Sequence, residues 1–170
     1  MKNFETSELF ETLGGCQGFY FAPVNRIASI PEASACMITS PILMRDTYPI
    51  LRGYASPGSL LFTESAKHTP SGMLNSVALK GFYPGVSDGM IALFHELMTN
   101  RFVVLVTDKL GKTRLAGSLR EPLSFSFTYS SLSQPNERAG YEFVFSGEMT
   151  STCPIYVPYT GDLGSFTIMD

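Results

Sequence analysis

Two segments in the last third of the chain alternate aromatic and small polar residues almost without interruption. Leu123, Phe125, Phe127 and Tyr129 take every second position of the first, with Ser124, Ser126, Thr128 and Ser130 between them. Tyr141, Phe143 and Phe145 repeat the pattern against Glu142, Val144 and Ser146. Side chains of an extended strand point to opposite faces in turn, so each segment has one greasy face and one polar face. A greasy face needs cover, and the spelling therefore predicts two neighbouring strands of a sheet packed against the rest of the chain. Opposed rings in such a sheet add about 0.2–1 kcal/mol per cross-strand pair. Stacking of sugars or bases on exposed rings is the less common use of the same ladder.

The other segments predict more strands and a single helix. Phe102, Val103, Val104, Leu105 and Val106 are apolar on both sides, which predicts a central strand over 101–107 covered on both faces. Asp108-Lys109-Leu110-Gly111 reads as a hairpin turn, the aspartate bonding nearby backbone and the glycine supplying a positive φ. Residues 112–118 return as its partner. Residues 18–22 read as a strand ended by Pro23, 25–31 as a turn, and 35–53, cut by Pro41 and Pro49, as short strands only. Residues 58–63 read as a short strand and 65–72 as a polar loop around His68 and Pro70. Residues 73–83 then alternate, with Leu74, Ser76, Ala78 and Lys80 on one face and Asn75, Val77 and Leu79 on the other. Met90, Leu93, Phe94, Leu97 and Met98 fall on one stripe of a helix over 88–99, capped by Ser87 or Asp88 and ended by Asn100, with His95 and Glu96 facing outward.

Ten residues, 130–139, separate the two aromatic strands. That is too many for a tight hairpin, so they read as a projecting, mobile arm. Ser131, Gln134, Pro135, Asn136, Glu137 and Arg138 are its candidate assembly contacts. An acidic lead over 1–15 docks through Phe4, Leu9 and Leu13, and a proline-rich tail from Pro154 packs along the surface or onto a neighbour. No repeat or linker divides the 170 residues, which read as one domain.

Composition narrows the functional classes. The chain is 44% hydrophobic and only 16% charged, well below the usual quarter, which fits a soluble β-rich α+β domain with surface covered by partners. Its net charge is −3 without a basic stripe, so there is no footprint for sequence-specific nucleic-acid binding. No secretory leader is legible, and the apolar stretch 27–44 is cut by Pro31, Glu32 and Pro41, short of the ~20 apolar residues that a membrane span needs. Cys16, Cys36 and Cys153 read as buried free thiols of a reducing compartment, and no clustered Cys or His ligands call for zinc. Gly111-Lys112-Thr113 lacks the earlier glycine of a phosphate-binding loop, Val106 standing in its place, and it opens a strand rather than a helix. His68 and His95 have no nucleophile and acid spelled around them and read as surface or structural residues. Glu5, Glu8 and Glu11 read as a solvated edge. The residues thus name no catalytic, cofactor-binding or metal-ligating position.

Three stretches resemble a family of bacteriophage or prophage tail proteins. They are Gly14-Gly15-Cys16-Gln17-Gly18-Phe19 with Ala22-Pro23-Val24-Asn25-Arg26-Ile27-Ala28-Ser29-Ile30-Pro31; residues 101–111 continuing to Leu115-Ala116-Gly117-Ser118 and Glu121-Pro122-Leu123; and Gly140-Tyr141-Glu142-Phe143-Val144-Phe145-Ser146-Gly147-Glu148. The resemblance implies a tail-tube-like fold, a mainly antiparallel β-sandwich or half-barrel flanked by one helix. It also implies a non-enzymatic subunit that assembles into rings around a DNA channel, with arms and termini bridging the rings. The implied partners are copies of the chain and other tail proteins, in the bacterial cytoplasm during assembly and then in the virion tail or a tail-like particle. A tail-terminator or tail-completion protein shares the same mix of elements. Outside this family the readings are a carbohydrate- or peptide-binding β-sandwich and a small hydrolase whose site is not recognised.

Overall fold

A computed structural model describes residues 14–46, 49–70, 72–85, 87–131 and 139–158. Its elements, in chain order, are β1 (Cys16–Pro23), a 3-10 turn (Val24–Arg26), β2 (Ile27–Ser29), β3 (Met37–Ile38), β4 (Leu43–Met44), β5 (Leu51–Gly53), β6 (Leu61–Thr69), β7 (Gly72–Pro84), α1 (Asp88–Met98), β8 (Arg101–Asp108), β9 (Thr113–Ala116), β10 (Leu123–Ser130), β11 (Gly140–Met149) and β12 (Ile155–Tyr156). Strands dominate, with one α-helix among the described residues, as an α+β reading requires.

The organising strand is β8. One of its sides pairs with β1, from Pro23 opposite Phe102 to Cys16 opposite Asp108. Its other side is shared. β9 pairs with Val104–Thr107, and the start of β10 takes over with Leu123 opposite Phe102 and Ser124 opposite Arg101. The chain bends between β9 and β10 at Gly117, whose φ of +88° favours glycine and where a Cβ would crowd the Phe102 carbonyl at 3.0 Å. Beyond Ser124, β10 leaves β8 and pairs with β11. One sheet is thereby curled into two layers, β5-β1-β8-β9-β12-β3 and β10-β11-β7-β6. The half-barrel is mixed rather than wholly antiparallel, because β12 runs parallel to β3. That short strand comes from the start of the tail, where Ile155 and Tyr156 join the sheet between β9 and β3, while residues 159–170 lie outside the described residues.

The aromatic alternation packs as architecture. Phe125, Phe143 and Phe145 are buried, and the last two meet rings from β1, with Phe19 5.5 Å from Phe143 and Phe21 5.5 Å from Phe145. Fully burying each ring contributes about 1.5–3 kcal/mol. The greasy face loses cover toward the arm, so Phe127 is only partly buried and Tyr129 is 48% exposed. The double apolar face of β8 also packs as read. Phe102, Val104 and Val106 enter the core between the layers, and Val103 and Leu105 enter a second core. Ile27, Ile38, Ile42, Ile50 and Tyr156 complete that second core, where the Tyr156 hydroxyl accepts a hydrogen bond from the Ile42 amide at 3.1 Å.

Three readings need correction. Residues 65–69 are not loop: β6 runs on to Thr69, which pairs with Gly72. As an edge strand exposed on both faces, this stretch carries no hydrophobic alternation to reveal it. The helix stripe is narrower than its spacing implies, with Phe94 and Leu97 buried while Leu93 and Met98 are 40% and 46% exposed. A helix lying over the end of a sheet buries two or three side chains rather than a full stripe. Of the three cysteines, only Cys153 is buried, and Cys36 is exposed.

The cap and turn chemistry follow the sequence. Ser87 Oγ accepts from the Met90 amide at 3.3 Å, and Asn100 donates to the Glu96 carbonyl at 3.1 Å. Asp108 accepts from the amides of Leu110 and Lys112 at 2.9 and 2.8 Å. Gly111 has φ +79°. The Gly111-Lys112-Thr113 triplet is thus the exit of a hairpin.

Candidate functional site

The curl leaves a seam where the two layers approach without pairing. β6 ends one layer, and β9 and β12 lie near the end of the other. Glu64 bridges them. Its Oε1 accepts from the Cys153 amide at 2.8 Å, and its Oε2 lies 3.9 Å from Arg114 Nη1. Cys153 belongs to the crossing that carries the chain from β11 to β12. Further along, the seam reaches Cys16, whose thiol meets the Phe62 backbone and is pushed above its ordinary pKa by burial.

At this crossing lies a cavity of about 320 Å³, lined in part by Glu64, Ala66, Asn75, Arg114, Thr152 and Cys153. Its deepest polar group is Asn75, which is fully buried. Neither the Oδ1 nor the Nδ2 of Asn75 has a hydrogen-bond partner. Buried polar groups are almost always paired, because an unmade hydrogen bond forfeits hydration without return. The Cys153 thiol is pushed up to about 12, by burial first and then by the nearby Glu64 carboxylate. It therefore stays protonated at neutral pH, and its Sγ contacts Met149 Sδ at 3.9 Å. Cys36 stands at the rim in a two-residue turn, where Ala35 and Cys36 have φ of +50° and +62° and Ser34 and Met37 exchange backbone hydrogen bonds of 2.9 Å.

A second concavity sits at the opposite end of β7, under α1. It encloses about 220 Å³ and is lined mainly by rings, including Phe19, Tyr83, Phe94, Phe125 and Phe143. Phe94 holds the helix there, 5.2 Å from both Phe127 and Tyr141. Apart from the half-exposed Tyr129, the rings that spelled a possible stacking platform pack the layers and seat the helix.

The residues singled out in the sequence do not converge. His68 is exposed on β6 opposite Met73, and His95 is exposed on α1 with its ring 5.6 Å from Phe127. Among the described residues no three His, Cys, Asp or Glu side chains gather as a metal set. Ser131 is exposed, while Gln134, Pro135, Asn136, Glu137 and Arg138 lie outside the described residues. At the arm's base, Ser130 pairs with Gly140, and the Gly85 amide donates to the Ala139 carbonyl at 3.3 Å.

Sequence reasoning missed the seam cleft, although one signal pointed to it. Asn75 shares the alternation phase of Val77 and Leu79, so a carboxamide stands where the pattern places a core residue. No described helix is long and apolar enough to cross a membrane. Comparison with family models, with curated proteins and with solved structures gives no match.

Proposed function

We propose that the chain is a non-enzymatic structural subunit that assembles with copies of itself through the edges of its sheet, as a ring-forming component of a phage-like tail. One observation carries this reading. In the layer β10-β11-β7-β6 no described strand pairs with the outer side of β6, which the other layer meets at Phe62 and Glu64, or with β10 beyond Ser124. Unpaired edges recruit further strands unless they are guarded. Two different edges on opposite sides of one rigid layer give a heterologous contact, which closes into a ring when the rotation permits. The outward face of this layer adds Thr63, Ser65, Ser126 and Thr128, small exposed hydroxyl side chains, among the exposed charges of Lys67, Lys80, Glu142 and Glu148. Segment 131–139, which joins Ser130 of β10 to Gly140 of β11 in sequence, serves as the bridging arm in this proposal.

Deleting Ser131 to Ala139 and joining the ends with a short turn is expected to leave the thermal midpoint within a few degrees of the parent. The same deletion should shift self-association to higher protein concentration in sedimentation velocity. An unfolded deletion variant, or one that associates as the parent does, would count against the arm.

A further inference from the structure

We infer that the seam cleft is a socket for an extended peptide segment of an adjoining subunit, which adds as a strand along β6 beyond Glu64 and turns an asparagine or glutamine side chain onto Asn75. The inference rests on the assembly reading and names one of its contacts.

The first support is Asn75. Its amide is fully buried, lines the cavity and leaves both its donor and its acceptor unpaired. A leucine would fill the same place without that cost, as Val77 and Leu79 do along the same face. Another primary carboxamide presents a carbonyl and an NH₂ side by side, so it satisfies both Asn75 atoms in one planar contact. A carboxylate would leave the donor role empty, and an ammonium the acceptor role.

The second support is the edge beside it. β6 pairs with β7 in continuous register from Leu61 opposite Lys80 to Thr69 opposite Gly72, and no described strand takes its other side. Thr69 and Gly72 flank a two-residue turn and form the closing hydrogen-bonded pair of the hairpin. Counting back from that pair, Glu64, Ala66 and His68 direct their main-chain groups to the open side. An extended chain matches such alternating N–H and C=O groups by strand addition. Ala66 stands directly opposite Asn75 and also lines the cavity. Ala66 is itself exposed, so its small methyl group leaves the rim of the cavity beside the edge uncovered. Thr152 and Arg114 supply a polar rim.

The test is a titration of the labelled protein with two blocked peptides of alternating threonine and valine, one with a central glutamine and the other with leucine in its place. The glutamine peptide is expected to shift the Asn75 side-chain NH₂ resonances and the amides of β6 saturably at millimolar concentration. The leucine peptide should bind about tenfold more weakly or worse. The variant Asn75→Leu should lose the preference between the peptides while its thermal midpoint rises. Absence of saturable shifts at Asn75, or equal binding of both peptides to the parent protein, would overturn the socket. An Asn75→Leu protein that assembles as the parent does would overturn the socket and leave the assembly reading standing. Glutamine-peptide docking on a parent protein that stays monomeric at every concentration would keep the chemistry of the socket and overturn the adjoining subunit as its occupant.

Discussion

Phe145→Ala is expected to cost about 3–5 kcal/mol of unfolding free energy, the range for a large aromatic removed from a closed core. Phe145 is 1% exposed. Its ring centroid lies 4.9 Å from that of Phe125, 5.5 Å from those of Phe21 and Phe102, and 6.0 Å from that of Phe19. Those neighbours come from β1, β8 and β10, so the ring sits where both layers meet. Truncation removes buried apolar surface and leaves a cavity that three strands, each tied into a ladder, close only partly. Urea denaturation with an unchanged m-value checks this, since a changed slope would indicate an altered unfolded or native state instead. Phe127→Ala serves as the internal control. Its ring is only partly buried, and its cost should be clearly smaller. Equal losses at the two positions would mean that the face is not graded from core to arm.

Gly81→Val is expected to destabilise by about 1–3 kcal/mol or more, although valine is the better strand former in isolation. The reason is a pairing that recurs in the two layers. Gly81 stands opposite Phe143, and Gly53 stands opposite Phe19. In each pair the aromatic ring lies over the glycine, where a Cβ atom would come within 1.9 Å of the Phe19 ring or 2.4 Å of the Phe143 ring. The glycine thus forms the floor on which the ring rests, as when an aromatic side chain covers a strand glycine. Combining Gly81→Val with Phe143→Ala should recover part of the loss, since the second change removes the clashing partner. A double-mutant cycle in thermal or urea unfolding gives that coupling directly, and additive losses would contradict the proposed contact.

The legible parts of the fold share a physical origin. β8, β10 and β11 announce themselves because burial dictates their side chains, on both faces for β8 and on alternate positions for the aromatic pair. The Ser87 cap and the Asp108 turn are legible because a side chain and a nearby amide settle them within three or four residues. The end of β6 is not legible. Its pairing partner dictates it and its own side chains do not, since Ser65, Ala66, Lys67 and His68 are all exposed. Curling of the sheet depends on β8 sharing one side between β9 and β10, a long-range event that no local pattern encodes. The seam cleft depends on that curl. It gathers Glu64, Asn75, Arg114 and Cys153 from four separate stretches, and only the misplaced polarity of Asn75 hinted at it.

The assembly reading is tested most directly by imaging. Negative-stain micrographs of the purified chain across rising concentration are expected to show closed particles of uniform diameter with a central opening, at the concentrations where sedimentation velocity shows a faster boundary. A single monomer boundary at every concentration, with fields free of rings or tubes, would contradict it.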